Sequence, residues 1–368
     1  MNLRRLSLVN FKNIRETELE FCAKLNCLVG DNGTGKTNLI DAVHYLSMCK
    51  SAFNLTDGQS VCHDADFFLL DGRYTVGENR EEITCGFKKG GAKVLKRNGK
   101  EYEKLSEHIG LLPVVLVSPS DTSLIHESGE DRRKFLNALL SQLDKTYLLN
   151  LIRYNRLLAE RNKLLKQPYS GNFTEILEVL DMRLADTGTR IHDRRRELVE
   201  TLAPVVGKYY AVLSGDREQV DISYKSELNE TPLEELLRAA CEKDRLLQHT
   251  TVGPHRDDIR MKIGGWPLRK YGSQGQQKSF LVALKLAQFE VIESHCGCKP
   301  ILLLDDIFDK LDMERVERLI RLVSDERFGQ IFITDSNKVR LDGILESLAQ
   351  DFRLFTVTDG IIRPDTDR

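Results

Sequence analysis

The eight residues Gly30-Asp31-Asn32-Gly33-Thr34-Gly35-Lys36-Thr37 match the pattern G-x-x-x-x-G-K-S/T in full, and no other stretch dictates so much of its own surroundings. A loop of this kind works only between a strand and a helix. The apolar run Leu25-Asn26-Cys27-Leu28-Val29 before it reads as a buried strand. The segment from Asn38 to Leu46 reads as a helix with Leu39, Ile40, Val43 and Leu46 on one side. The glycines let backbone N–H groups close around phosphate oxygens, and the helix N-terminus adds partial positive charge. Gly30 through Thr37 and the following Asn38 are therefore expected to cradle ATP. Lys36 reaches its β- and γ-phosphates, and Thr37 offers its hydroxyl to Mg²⁺. The bland alternative is an ordinary glycine-rich turn, which leaves the correct flanks, the lysine and the threonine without a reason.

At 368 residues the chain is long enough for two domains and a substantial core. Its 41% hydrophobic and 30% charged residues are a soluble, globular balance. The formal net charge of -2 advertises no global positive field, so a nucleic acid must be met by a local patch. No apolar run has membrane-spanning length, and Met1-Asn2-Leu3-Arg4-Arg5-Leu6 lacks the apolar centre of a signal peptide, so a cytoplasmic location is expected. Cys296-Gly297-Cys298 beside His295 suggests zinc, but no second ligand pair follows at usable spacing. Reduced, mostly buried thiols are the better reading.

The first third alternates like β-structure: around Leu6 to Phe11, Glu16 to Phe21, Arg73 to Val76, Ile83 to Phe87 and Val94 to Arg97. From about Ser128 to Lys243 the pattern becomes helical. Leu136, Leu139, Leu140 and Leu143 share one face, Leu148 to Leu158 continue a second helix, and a third runs from Ile176 to a close near Pro204. Breaks are expected at Pro168-Tyr169-Ser170-Gly171 and Thr231-Pro232. After Thr251 the α/β pattern returns, with apolar strands at Pro300 to Leu304, Gln330 to Thr334 and Phe352 to Val357. One α/β domain is thus built from both chain ends, residues 1–127 and 246–368, with residues 128–245 inserted as a helical arm.

The strand at Ile301–Leu304 ends in Asp305 and Asp306. Asp305 suits a carboxylate that holds Mg²⁺, and Asp306 suits a general base for the attacking water. Alone, such a pair is as consistent with acids that merely end a strand; downstream of a complete phosphate loop the two motifs explain each other. Gly272-Ser273-Gln274-Gly275-Gln276 precedes a helix expected to start near Lys278. Small residues at a helix N-terminus form a second anion site, so Ser273, Gly275 and Gln276 become candidates for the γ-phosphate of a facing subunit's nucleotide. The alternative is a plain Gly–Ser helix entry.

The order Gly30–Thr37, Ser273–Gln276, Asp305-Asp306 and Asp309-Lys310-Leu311-Asp312 resembles the ABC-type P-loop ATPase head. Within that class the chain is similar to the RecF family of bacterial recombinational repair proteins. The stretches that carry the likeness are Leu8-Val9-Asn10-Phe11-Lys12-Asn13, Asp131-Arg132-Arg133-Lys134-Phe135-Leu136-Asn137, Thr251-Val252-Gly253-Pro254-His255-Arg256-Asp257-Asp258 and Ser273-Gln274-Gly275-Gln276-Gln277-Lys278. The resemblance implies an ATP-dependent homodimer that grips gapped DNA near single-strand/double-strand junctions. It also implies cooperation with RecR and RecO in loading RecA. Three departures bear on the chemistry. Most ABC heads carry Glu where Asp306 stands, and the shorter reach implies slow hydrolysis; the resemblance implies a weak, DNA-stimulated ATPase acting as a switch. Thr334-Asp335 stand where transporter heads place a His, and no lobe-linking glutamine is evident in Leu111 to His126.

DNA contact rests mainly on that resemblance. Arg132-Arg133-Lys134, Arg153/Arg156/Arg161/Lys163 and Arg190/Arg194/Arg195/Arg196 are local basic clusters, with Arg132, Arg133, Arg194 and Arg195 the named candidates for phosphate contact. Each cluster also reads as a solvated helix face balanced by Glu160, Glu197 and Glu200. No interleaved aromatic series for stacking on single strands is evident. His255 and Arg256 follow a Gly-Pro turn and suit an interface, a nucleotide site or a structural ion pair equally. An SMC-like head needs a long coiled coil between the nucleotide motifs, which the arm lacks. A transporter's energy-coupling subunit is opposed by the arm and the missing His, and a nucleotide-gated scaffold with negligible turnover remains compatible with Asp306.

Overall fold

The computed structural model describes residues 1–168, 171–308, 313–337 and 351–365. The Asp309–Asp312 motif, and Tyr169 and Ser170 of the expected break, lie outside the described residues. The chain opens with strands β1 (Asn2–Phe11), β2 (Ile14–Glu20) and β3 (Leu25–Val29), helix α1 (Lys36–Met48), then β4 (Phe67–Val76), β5 (Asn79–Lys88), β6 (Val94–Arg97), β7 (Lys100–Glu101) and β8 (Val114–Val117). Helices α2 (Ser123–His126), α3 (Gly129–Leu143), α4 (Lys145–Leu165) and α5 (Phe173–Ser214) follow, with β9 (Val220–Lys225), α6 (Leu233–Leu247), β10 (Asp258–Ile263), β11 (Trp266–Pro267) and α7 (Leu268–Tyr271). The chain ends through α8 (Gln274–Cys296), β12 (Ile301–Asp305), α9 (Met313–Ser324), β13 (Ile331–Asp335), β14 (Phe352–Thr358) and β15 (Ile361–Pro364).

These elements form two compact units. The first contains Met1–Asp121, Tyr209–Arg217 and Ser273–Arg368, the second Thr122–Lys208 and Glu218–Gly272. In the first, one sheet runs β15-β14-β3-β13-β12-β8 and a second runs β2-β1-β4-β5-β6-β7. Every residue of β3, β12 and β13 is buried, as expected for parallel strands covered on both faces. β3 pairs in parallel with β13 and β13 with β12, so their carboxyl ends emerge side by side. The register aligns Leu28 with Thr334, Val29 with Asp335, and Thr334 with Asp305. Open α/β sheets bind ligands at such carboxyl edges, so the topology alone brings residues nearly 300 positions apart to one site, as in the Thr37–Asp305 separation of 268.

The division differs from the expected boundaries of 1–127, 128–245 and 246–368 in two places. Residues through Gly272 belong with the helical unit because β10 pairs antiparallel with β9 along its full length, from Asp258↔Lys225 to Ile263↔Val220. Tyr209–Arg217 belongs with the head, where the Tyr209 hydroxyl donates to Glu290 Oε2 at 2.7 Å. Helix α5 also runs through Pro204 rather than closing there. An internal proline costs a helix about 3 kcal/mol, but Val206, Tyr209, Tyr210 and Leu213 beyond it are all buried, and burial at about 1.5–3 kcal/mol for each large apolar side chain outweighs that cost. No helix among the described residues is long and apolar enough to cross a membrane, and all eight cysteines are free thiols.

Candidate nucleotide site

The phosphate loop joins β3 to α1, as its pattern requires. Gly35 enters α1 at φ 114° and gives the helix no side-chain cap, and the first turn carries no acid. With no protein carboxylate there, the start of the helix suits an external anion, while the N–H groups of Asn38 and Leu39 donate to the Gly35 carbonyl at 3.0 and 3.2 Å. A Cβ on Gly30 would come within 2.2 Å of the Val357 carbonyl oxygen, a backbone atom that cannot swing away, and one on Gly35 within 2.8 Å of Asn13 Oδ1. The loop is braced from outside by residues that no motif pattern singles out for this task. The Thr34 carbonyl accepts from Gly360 N at 2.8 Å and from Asn13 Nδ2 at 3.2 Å, while Asn13 Oδ1 accepts from Asn38 Nδ2 at 2.7 Å. Below the loop, the buried Asp41 carboxylate of α1 pairs with Lys12 at 2.6 Å and accepts from Ser51 Oγ and Ala52 N.

Lys36 is buried, and its ammonium donates to the carbonyls of Gly30 at 2.7 Å and Asp31 at 2.8 Å. Burial pulls its pKa below the ordinary lysine value, against the carboxylates of Asp306, Asp305, Asp335 and Asp31, which favour the charged form. Thr37 donates to Asp305 from 3.0 Å to each carboxylate oxygen. Thr334, wholly buried at the end of β13, donates to Asp305 Oδ1 at 2.8 Å and accepts from Asp306 N at 2.9 Å. Burial pushes the Asp305 carboxyl above the usual range, while the hydrogen bonds from Thr334 and Thr37 pull it back. Asp306 holds φ 47°, a left-handed conformation uncommon for a non-glycine residue and concentrated at functional sites.

This donor set suits magnesium. Its groups are a hydroxyl and carboxylate oxygens, the hard ligands the ion prefers, and magnesium takes one or two protein carboxylates alongside substrate phosphates. Among the described residues no cluster of three or more His, Cys, Asp or Glu side chains forms a self-sufficient metal cage. Thr334 is the residue that motif reading notes only for not being a histidine; the structure makes it the positioning residue for Asp305.

Ser273, Gly275 and Gln276 lie one turn closer to the helix than expected, because α8 begins at Gln274 and not near Lys278. Ser273 is its N-cap in a reciprocal capping box: Ser273 Oγ accepts from Gln276 N at 3.3 Å, and Ser273 N donates to Gln276 Oε1 at 2.6 Å. A serine hydroxyl that accepts one hydrogen bond retains its proton for a phosphate oxygen. A Cβ on Gly275 would meet the Arg315 guanidinium at 2.4 Å, so α9 brings a cation to this helix end that no pattern in the sequence marks.

The model of the RecF/RecN/SMC N-terminal domain family matches residues 2–362. The DNA replication and repair protein RecF of Parabacteroides distasonis is 48% identical over 364 residues, 99% of each chain. That of Bacteroides thetaiotaomicron is 45% identical over 363 residues, 98% of each. The chain belongs to the RecF family. A solved structure of the recombination mediator protein RecF with ATP matches at TM-score 0.88 and 33% identity, over 98% of this chain and 97% of that one. An Smc head domain from Pyrococcus furiosus shares the fold at TM-score 0.58 and 16% identity, covering 98% of this chain and 95% of that one. The fold is an ABC-type ATPase head of the kind shared by RecF and SMC proteins.

Of the four arginines named from the sequence as DNA contacts, three are engaged by groups within the second unit. Arg195 is only 2% exposed and donates to Tyr147 Oη, the Pro254 carbonyl and Asn137 Oδ1. Arg132 makes a two-point ion pair with Asp258 and binds the carbonyls of Leu124 and Glu127. Arg133 donates to the Asp257 carbonyl. These three hold the second unit together. Arg194 pairs with Asp144 and Glu197 but keeps 40% of its side chain exposed. A linear run of arginines cannot show which of them turn inward, since only the fold decides the helix face.

His255 is structural too. Its Nδ1 lies 2.8 Å from Tyr154 Oη and its Nε2 3.1 Å from the Thr250 carbonyl. Nε2 must donate to the carbonyl, which assigns Nδ1 as the acceptor of the tyrosine proton. Burial pushes its pKa down to about 4. Between the ordinary value and that one, the unfolded chain binds a proton the folded chain does not, so stability is full above about pH 6.5 and declines as pH falls toward 4. His255→Asn is expected to shrink the loss of unfolding free energy between pH 7.5 and 5 by roughly 1–2 kcal/mol, read by urea titration at both pH values. An unchanged pH slope rules out the neutral, buried imidazole.

Proposed function

We propose that the chain is a cytoplasmic, ATP-dependent DNA-binding protein of recombinational gap repair and replication-fork recovery. The observation that carries the reading is the hydrogen-bonded group of Thr37, Asp305 and Thr334 beside Lys36, on two adjacent parallel strands and the helix behind the loop. Its kinship with proteins named DNA replication and repair protein RecF, and with a RecF solved with ATP, supports the same reading.

Lys36, held by two loop carbonyls, exchanges them for the β- and γ-phosphates, and backbone N–H groups of the loop up to Thr37 wrap the phosphate oxygens. Thr37 and Asp305 would hold magnesium, which would supply charge neutralisation at the phosphates. Asp306 orients the attacking water and accepts its proton, and its short side chain makes turnover slow. Two copies sandwich two nucleotides, each giving its phosphate loop to one and Ser273, Gly275 and Gln276 to the other. The ATP-bound pair grips DNA near a single-strand/double-strand junction and lets go after hydrolysis. With RecR and RecO, it promotes RecA loading on gapped DNA.

The deciding experiment is binding to a gapped duplex at fixed salt with ATP, with ADP and without nucleotide, for wild type and Lys36→Arg. Tight binding by wild type with ATP alone is expected, together with dimer formation under the same condition. Equal affinity with ATP and ADP, without an ATP-dependent dimer, sinks the clamp.

A further inference from the structure

The one tryptophan of the chain is exposed. Trp266 follows the Gly264-Gly265 turn between β10 and β11, where both glycines have positive φ (53° and 83°), the conformation of a tight two-residue hairpin. Tyr271, at the end of α7, brings its ring to 5.3 Å from the indole at an interplanar angle of 46°. Each of the two residues is 61% exposed. Large aromatic side chains normally contribute their area to a core, so two that touch each other in solvent form a small, rigid apolar surface.

The charge around this pair is one-sided. From Arg260 to Ser273 the chain carries Arg260, Lys262, Arg269 and Lys270 and no carboxylate. Asp221 of β9 lies opposite Lys262 in the ladder, and Asp258 opens β10. Arg269 and Lys270, which separate the two rings in the chain, are both exposed, and neither makes an ion pair among the described residues. The arm arginines differ: Arg132, Arg156, Arg161, Arg190, Arg194 and Arg196 all sit against carboxylates.

We propose that Trp266, Tyr271, Arg269 and Lys270 form a platform for unpaired nucleotides, the rings stacking on bases and the two cations meeting phosphates. An open aromatic surface with adjacent exposed cations fits a single strand. Duplex bases hide their faces from such rings, whereas unpaired bases expose them, and each stacked base contributes sequence-tolerant affinity. The inference rests on the DNA-binding reading above and gives it a place on the second unit.

Because Trp266 is the chain's only tryptophan, its emission reports on the platform alone. With ATP present, single-stranded oligothymidylate is expected to quench it, and a blunt duplex of equal length is not. In an anisotropy titration, Trp266→Ala/Tyr271→Ala is expected to bind a gapped duplex about tenfold or more weakly while keeping wild-type affinity for the blunt duplex. Trp266→Phe, which retains a ring, stays near wild type. If wild type binds the gapped duplex without any change in emission and the double variant binds it equally well, the platform is wrong and the DNA reading survives. Quenching by ATP without DNA overturns it in favour of a nucleotide base, and equal losses on gapped and blunt duplexes overturn the single-strand assignment. If wild type binds no DNA with any nucleotide, the underlying reading falls and the platform falls with it.

Discussion

Lys36→Met is expected to lower ATP turnover by about 10²–10³-fold, the loss typical when one preorganised donor is removed from a developing negative charge. The same substitution is expected to leave the melting temperature of the ligand-free protein unchanged or slightly raised. The reason lies in the lysine's environment. Burial works against its charge, and the carboxylates of Asp306, Asp305, Asp335 and Asp31 offset only part of that desolvation. A thioether chain of similar length removes the buried charge while filling the space. The thermal shift produced by ATP with magnesium should disappear, since a ligand stabilises only the state that binds it. Turnover assays and melting curves with and without nucleotide check both halves. A variant that is destabilised without ligand yet still shows the full nucleotide shift would assign Lys36 to the fold rather than to the phosphates.

Thr334→Val is expected to lower turnover by about 10–100-fold and to raise the magnesium concentration needed for half-maximal activity, as loss of a ligand-orienting partner generally does. Valine keeps the shape and deletes the hydroxyl. Asp305 then loses its 2.8 Å donor, and the backbone N–H of Asp306 loses its acceptor. An unsatisfied buried N–H costs about 1–3 kcal/mol of stability, so a modest fall in melting temperature accompanies the kinetic change. Thr334→Ser restores the hydroxyl and should restore most of the activity. Magnesium titrations of the three proteins decide the matter: identical curves for the wild type and Thr334→Val would mean that Asp305 needs no such partner.

The nucleotide site is legible in the sequence to different depths. Gly30–Thr37 can be read outright because a phosphate loop is a local device: consecutive residues make the turn, start the helix and carry both the lysine and the threonine. Asp305 and Asp306 are readable only in company with that loop, since acids end many strands. Helix α8 starts a turn before its apolar face suggests, because Ser273 and Gln276 close a capping box ahead of that face. The arm arginines are the least readable. Their spacing is compatible with either face of a helix, and the fold turns Arg195 inward onto Tyr147, Asn137 and Pro254.

A P-loop α/β domain assembled from both chain ends, a helical insertion, and the residue types for ATP and magnesium all follow from the order of amino acids. They obey short-range rules, in which a motif, a period or a turn is set by neighbours a few positions apart. Three-dimensional packing was needed to establish that Thr334 supports Asp305, that Asn13 and Gly360 brace the loop, and that Trp266 and Tyr271 meet in solvent beside exposed cations. Each of the first two relations joins residues distant in sequence through strand register or loop packing. The third depends on a hairpin and a single helical turn folding two rings onto each other. Such relations are set by which strands pair and which faces are buried, and that is a property of the whole chain's packing.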